Sequence, residues 1–241
     1  MTGTARTTAT DALRHCALFS RVDDATLDVC IDSLRTRRYR RNETIFHQGD
    51  PGDSLYIIES GAVKIVLPSP EGEDEAIIAT LGPGDFFGEL ALLDGGPQSM
   101  TAVALEPTDV IIVPGSTFMA LIAQHACARE VLLAALTGGL RLLVGRVEAL
   151  HFLDVPGRLA NLLVSLANER GRVLSPAGDV PEGAVRIDGR LTQGDLAAMV
   201  NSSRQSVNQA LAELGGQGIV RFERDGIVIL APDRLASRAR P

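Results

Sequence analysis

The stretch from Leu191 to Leu230 constrains the fold most, because its apolar pattern switches from helical to alternating over a short distance. Thr192 and Asp195 have the spacing of a capping box, with Asp where Glu is usual. Leu196, Ala197 and Val200 then share one helical face. Asn201 follows, a residue that tolerates left-handed backbone, and Ser202 or Ser203 can cap a second helix. There Val207, Ala210, Leu211 and Leu214 form an apolar stripe, and Gly215, Gly216 and Gly218 mark its end. Ile219 to Leu230 reads as two β runs joined around Asp225-Gly226, a hairpin signal. Two short helices followed by a hairpin make a winged helix-turn-helix.

Opposite the apolar stripe of the second helix lie Arg204, Gln205, Asn208 and Gln209, with Ser203 and Ser206 at its start. Arginine can bond a guanine edge in two places, and glutamine an adenine edge. Serine hydroxyls and helix N-termini suit phosphate oxygens, and Thr192 joins that group. An ordinary solvent-facing helical hairpin is the alternative, and the wing that follows favours a DNA-reading unit.

A chain of 241 residues with 45% hydrophobic content has room for two domains with real cores. No stretch approaches the ~18 continuous apolar residues of a membrane span. The first ten residues lack an apolar signal region and read as a tail, so a cytoplasmic protein is expected. The net charge of -7 is unequally divided. From Asp154 onward there are 11 Arg and 10 acidic residues, a balance of +1; the preceding 153 residues hold 12 basic and 20 acidic, a balance of -8. A DNA-binding half needs only a local basic face.

From Glu43 to Val113 short apolar runs (ETIFH, SLYIIE, AVKIVL, EAIIATL, TAVAL, DVIIV) are broken by Gly-containing turns such as GDPGD, EGED and GPGD. Roughly eight strands in an antiparallel roll are expected, with an interior able to hold one small ligand. A metalloenzyme on such a roll needs clustered histidines, and only His47 falls within it, so no metal site is expected and the chain is not read as an enzyme. Cys16, Cys30 and Cys127 are widely spaced and read as structural thiols. Arg35, Arg37, Arg38, Arg40 and Arg41 form either a phosphate or partner contact or a solvated edge leading into a strand.

The segment Phe86 to Pro107, FFGELALLDGGPQSMTAVALEP, resembles the phosphate-binding cassette of cyclic-nucleotide-binding domains, whose pattern is close to FGELALL…PRSATV. Together with SSRQSVNQAL, the trailing wing and the hinge-like DVPGR at Asp154 to Arg158, it makes the chain resemble the Crp/Fnr family of bacterial transcription regulators over about residues 20 to 235. In that family a Glu binds the ribose and an Arg pairs the cyclic phosphate. Gly88, Glu89 and Leu90 match, and Ser99 matches the polar residue after the Arg, but the Arg position holds Gln98. A hydrogen bond to a charged group contributes about 1.5–3 kcal/mol, so losing the cation should weaken a cyclic nucleotide about ten- to hundredfold. Met100 also replaces a small residue. The family's adenine-bonding positions fall near Leu143 and Val144, which offer no polar group. The iron–sulfur and haem ligand patterns of other branches are absent.

Leu133, Leu136, Leu140, Leu143, Val147 and Leu150 recur at spacings of 3 and 4, a coiled-coil seam. Packing against the roll would produce the same pattern; the resemblance implies a dimerisation helix. Gly138 and Gly139 within it permit close approach or a hinge. Pro156 starts the next helix, whose buried face is Leu159, Leu162, Leu163 and Leu166; residues 172–189 read as a loop or weak hairpin, and the C-terminal ASRARP as a frayed tail.

The expected architecture is α+β. It comprises a cyclic-nucleotide-binding-like β-roll (a double-stranded jelly roll) at 1–125, a dimerisation helix at 126–153 and a winged helix-turn-helix at 154–241. The resemblance implies a homodimer binding two half-sites of promoter DNA and contacting RNA polymerase. A cyclic nucleotide is the candidate effector, set against a ligand-independent protein or a cyclic dinucleotide bound through Arg141 or Arg146.

Overall fold

Ser54–Ser60 (β3) buries side chains on both faces, which only a strand sandwiched between two layers can do. Leu55 and Ile57 join a cluster with the flanking helices, while Tyr56 and Ile58 turn to the roll interior. The computed structural model describes residues 10, 13–69, 75–176, 178, 180–189, 191–223 and 225–239. It divides into two units, Met1–Gly139 and Leu140–Pro241.

In the first unit, α1 (Asp24–Ile31) precedes eight strands: β1 (Arg35–Tyr39), β2 (Thr44–Phe46), β3, β4 (Val63–Pro68), β5 (Glu75–Leu81), β6 (Phe86–Phe87), β7 (Thr101–Ala104) and β8 (Thr108–Pro114). The short helix α2 (Glu89–Asp94) interrupts them, and α3 (Gly115–Gln124) follows. They form two four-stranded antiparallel sheets, ordered β1-β8-β3-β6 and β2-β7-β4-β5. The helical layer supplies Phe19, Leu27, Ile31, Phe118 and Leu121 to the core outside the first sheet, and Phe46, Ile65 and Phe87 fill the roll interior. Cys16, Cys30 and Cys127 lie in or against the outer core as free thiols. Burial pushes the Cys16 thiol up to about 11, which keeps it protonated and unreactive.

Sequence reading missed β1 because four of its five residues are exposed and three are arginines. Pairing with β8 from Arg35↔Ile112 to Tyr39↔Thr108 makes it a strand regardless of its polarity. The N-terminal tail other than Thr10 and the EGED turn lie outside the described residues.

Helix α4 (Ala126–Phe152) is continuous for 27 residues through Gly138-Gly139, where the two units divide. Its leucine seam is split. Leu136 packs against the core of the first unit, beside buried Ala128 and Leu132. Leu133 is exposed, as are Leu140, Leu143, Val147 and Leu150 further on; Leu140 exposes 62% of its surface and Val147 55%.

In the second unit, α5 (Val155–Arg170) is capped by Asp154, whose carboxylate accepts from Gly157 N at 2.8 Å. It lays Leu159, Leu163 and Leu166 against α6 (Gln193–Met199) and α7 (Arg204–Gly216). A four-stranded sheet completes the unit: β9 (Gly171–Val173), β10 (Val185–Asp188), β11 (Val220–Glu223) and β12 (Gly226–Ile229), ordered β11-β12-β10-β9. The region read as a loop or weak hairpin thus contributes a paired β9 and β10.

Three details differ from expectation. Helix α7 runs through Gly215 and Gly216 and is closed by Gln217, with Gly218 at φ +65°. Gly226 begins β12 instead of forming the turn; a Cβ there would stand 2.5 Å from the Ile187 carbonyl oxygen of β10, so close strand approach is what requires glycine. The supposed frayed tail is helical at its start: Ala236, Ser237 and Arg238 complete a helix, α8 (Pro232–Arg238), started by Pro232 and anchored by fully buried Leu235, with Arg238 paired to Glu213 at 2.9 Å. Arg240 and Pro241 lie outside the described residues. Since Leu235 belongs to the core of this unit, Leu235→Ala is expected to cost about 2–5 kcal/mol. Hydrogen-exchange mass spectrometry will show it as lost protection across α5 and α7 with β3 and β8 unchanged.

Candidate DNA-reading face and effector cassette

The reading face begins with the cap of α6. Asp195 N donates to Thr192 Oγ1 at 3.1 Å, while Thr192 N and Oγ1 both donate to Asp195 Oδ2, at 2.9 and 2.7 Å. This is the capping box read from the sequence. The Thr192 hydroxyl hydrogen is therefore engaged within the protein. Asn201 turns the chain at φ +50°, and Ser202 N donates to Ala197 O at 3.0 Å. Arg158 of α5 supports this turn, its Nε donating to Val200 O at 2.9 Å and its Nη1 to Leu153 O at 3.0 Å. Sequence reading placed Arg158 only in the DVPGR hinge, and no periodicity reveals that it joins that hinge to the turn.

Ser203 caps α7 by accepting from Ser206 N at 3.1 Å, and the two hydroxyls lie 3.0 Å apart. Val207, Ala210, Leu211 and Leu214 are buried, which turns Arg204, Gln205, Asn208 and Gln209 to solvent on one face. Among the described residues no carboxylate pairs with Arg204, so all of its guanidinium donors are free. The sheet behind α7 is different. Arg186 bonds Asp188 at 2.6 Å and also pairs with Glu223, which Arg221 reaches at 3.2 Å. Arg186 and Arg221 hold the Glu223 carboxyl below the usual carboxylate range. These wing arginines are matched to acids, whereas Arg204 of α7 has no acidic partner among the described residues.

In the first unit Gly88 adopts φ +87° and opens α2, whose first residue is Glu89. Glu89 is half-buried, and burial pushes its carboxyl up from the usual value of 4.5. Leu90 and Ser99 are exposed. Gln98 is only 4% exposed. Its backbone is tied to the facing loop, N donating to Asp50 O and O accepting from Gly49 N, both at 2.8 Å. Inside the roll Phe46, Tyr56 and Phe87 form a trio with ring centroids 5.2–5.8 Å apart, and Met100 packs against them. From Gly88 to Met100 the cassette holds no Lys or Arg. It fits a ribose hydroxyl at Glu89 better than an anionic phosphate at Gln98. Leu143 and Val144 lie exposed on the part of α4 that belongs to the second unit. Among the described residues no cluster of three or more metal-ligating side chains occurs, and no helix is long and apolar enough to cross a membrane.

Residues 36–125 match the family model of the cyclic nucleotide-binding domain, and residues 157–238 that of the Crp-like helix-turn-helix domain. The chain belongs to the Crp/Fnr family of transcription regulators. This Crp/Fnr regulator is 34% identical over 230 residues to the CRP-like cAMP-activated global transcriptional regulator of Mycobacterium tuberculosis, covering 95% of this chain and 99% of that one. It is 31% identical over 210 residues to the cyclic AMP receptor protein of Thermus thermophilus, covering 87% and 90%. A CooA mutant from Carboxydothermus hydrogenoformans shares the fold with a TM-score of 0.77 at 20% identity, covering 93% and 96%. This chain is a DNA-binding transcription regulator and not an enzyme.

The Glu89 shift has a stability consequence. A carboxyl whose pKa is raised on folding holds more protons folded than unfolded, so stability falls as pH rises from the ordinary Glu value through the folded one. Glu89→Gln is expected to stabilise the unliganded roll at pH 7, with the difference vanishing below pH 4.5. Tyrosine fluorescence in a denaturant titration reads it selectively, because Tyr39 and Tyr56 are the only tyrosines and both lie in the roll.

Proposed function

We infer that this regulator acts as a cytoplasmic homodimer that reads two half-sites of promoter DNA and engages RNA polymerase, and that it does so without a cyclic nucleotide. The observation carrying the DNA reading is Arg204, exposed at the start of α7 beside Gln205, Asn208 and Gln209 and unpaired among the described residues. With α7 in the major groove, Arg204 reads one guanine per half-site and Gln205 and Gln209 read its neighbours. Ser203 and Ser206 face phosphate at the helix start, as does the first turn behind Thr192. Dimerisation through α4 is supported by the exposed seam of Leu133, Leu140, Leu143, Val147 and Leu150, since a soluble helix seldom leaves such a row facing water.

Independence from a nucleotide is supported by Gln98. It is buried and uncharged where the family's phosphate-binding arginine belongs, and Leu143 and Val144 bring no polar group for a base. A second reading, a regulator still answering to cyclic AMP, is favoured by Gly88 and Glu89, which keep the ribose-binding half of the cassette, and by the cAMP-activated relative at 34% identity. A cyclic dinucleotide held by Arg141 or Arg146 of α4 is a third.

Affinity of the purified protein for its own upstream DNA, at one fixed salt, decides among them, because phosphate contacts make affinity salt-dependent. The expected result is tight binding unchanged by cyclic AMP or cyclic di-GMP; binding that appears only with one of them replaces this reading with the corresponding alternative. In the same assay Arg204→Ala is expected to cost about 1–3 kcal/mol per half-site and to relax one base position. Equal loss on every sequence would mean that Arg204 contacts only phosphate.

A further inference from the structure

Gly194 is the second residue of α6, and the Arg204 side chain of α7 occupies the space above it. A Cβ on Gly194 would stand 3.0 Å from Arg204 Nη2, 3.1 Å from Nε and 3.2 Å from Cζ, tighter than ordinary contact. All three atoms belong to the guanidinium plane, so that plane rests on the bare first turn of α6. No ion pair holds it there among the described residues. Asp195, one residue along, has its carboxylate engaged by Thr192 instead. Arg204 thus lies against the α6 backbone by contact of shape, with its hydrogen-bond donors unspent among the described residues. Two-point recognition of a guanine requires the guanidinium fork to meet the base edge in a defined direction. A long side chain free to rotate would have to find that direction on binding.

We propose that Gly194 is a positioning residue for DNA recognition: its missing side chain gives the Arg204 guanidinium a flat seat, and that seat directs the fork to its base. This rests on the reading of Arg204 as a guanine contact. A methyl group at Gly194 would displace the plane by a few tenths of an ångström, and a leucine would remove the seat. The effect should therefore be graded and confined to the one base Arg204 reads.

The test uses the full chain and a duplex library randomised across both half-sites, enriched by binding at one fixed salt and sequenced. Wild type, Arg204→Ala, Gly194→Ala and Gly194→Leu are compared, with affinity for non-specific duplex measured for each. Wild type should select one dominant guanine per half-site, and Arg204→Ala should erase it. Gly194→Leu should lower discrimination at that same position by about tenfold, and Gly194→Ala by less, with the other positions and the non-specific affinity unchanged. Alanine favours a helix more than glycine, so Gly194→Ala keeps the fold and tests the seat even if the leucine variant is unstable. Guanine preference unaltered by both Gly194 variants overturns the proposal, as does loss at every position together, which would mean that Gly194 only clears the docking surface. If Arg204→Ala itself keeps the guanine, the underlying reading of Arg204 fails; if only the Gly194 variants keep it, that reading stands and the seat alone is refuted.

Discussion

Burial of the apolar stripe of α7 is the constraint on which the rest of the second unit depends. Val207, Ala210, Leu211 and Leu214 can leave water only by packing on α5, α6 and the strands of the wing. Once they do, the rotation of α7 is fixed, and the polar residues one helical face away must point outward. The same core takes Leu196 and Ala197 from α6, Leu159 and Leu163 from α5, and Leu235 from α8. A residue far from the reading face can therefore set its geometry through a shared interior. Arg158 extends this by binding the carbonyl of Val200, at the turn where two helices must meet at a fixed angle.

The first unit is organised by β3 and β8, whose alternate side chains serve two different cores. Ile57, Ile111 and Val113 hold the helical layer, and Tyr56, Ile58 and Val110 face inward. This leaves the cassette at α2 framed by rigid strands, with Gln98 fastened to the opposite loop by paired backbone bonds. In this cassette a carboxyl inclined toward protonation stands at Glu89, and Gln98 is a buried, uncharged amide.

Helix α4 shows how one apolar repeat can serve two ends. Its first turns belong to the outer core of the first unit through Ala128, Leu132 and Leu136, and beyond Gly139 the leucines stand exposed. The spacing of 3 and 4 is common to core packing and to a coiled coil, so the sequence left both open. In the structure Leu136 takes the first role, and Leu133, Leu140, Leu143, Val147 and Leu150 stay exposed on this chain.

Much of this protein was legible in its sequence because the deciding forces are local. The capping box at Thr192 and Asp195, the left-handed turn at Asn201, the Ser203 cap and the two-period strands of the roll are each settled within a few residues, by hydrogen bonds or periodic burial. The helical period likewise placed Arg204, Gln205 and Gln209 together on the exposed face of α7. What only the tertiary structure decided are pairings distant in sequence or against local preference. The arginine-rich β1 is a strand because β8 supplies its hydrogen-bond partners, and Pro232–Arg238 is a helix because Leu235 finds a core to enter. Arg158 reaches Val200 across 42 residues, and Gly194 comes beneath Arg204 because α7 crosses α6 at that point. Periodicity carries the energy of neighbours along the chain, and these contacts are fixed by how the faces of separate elements fit.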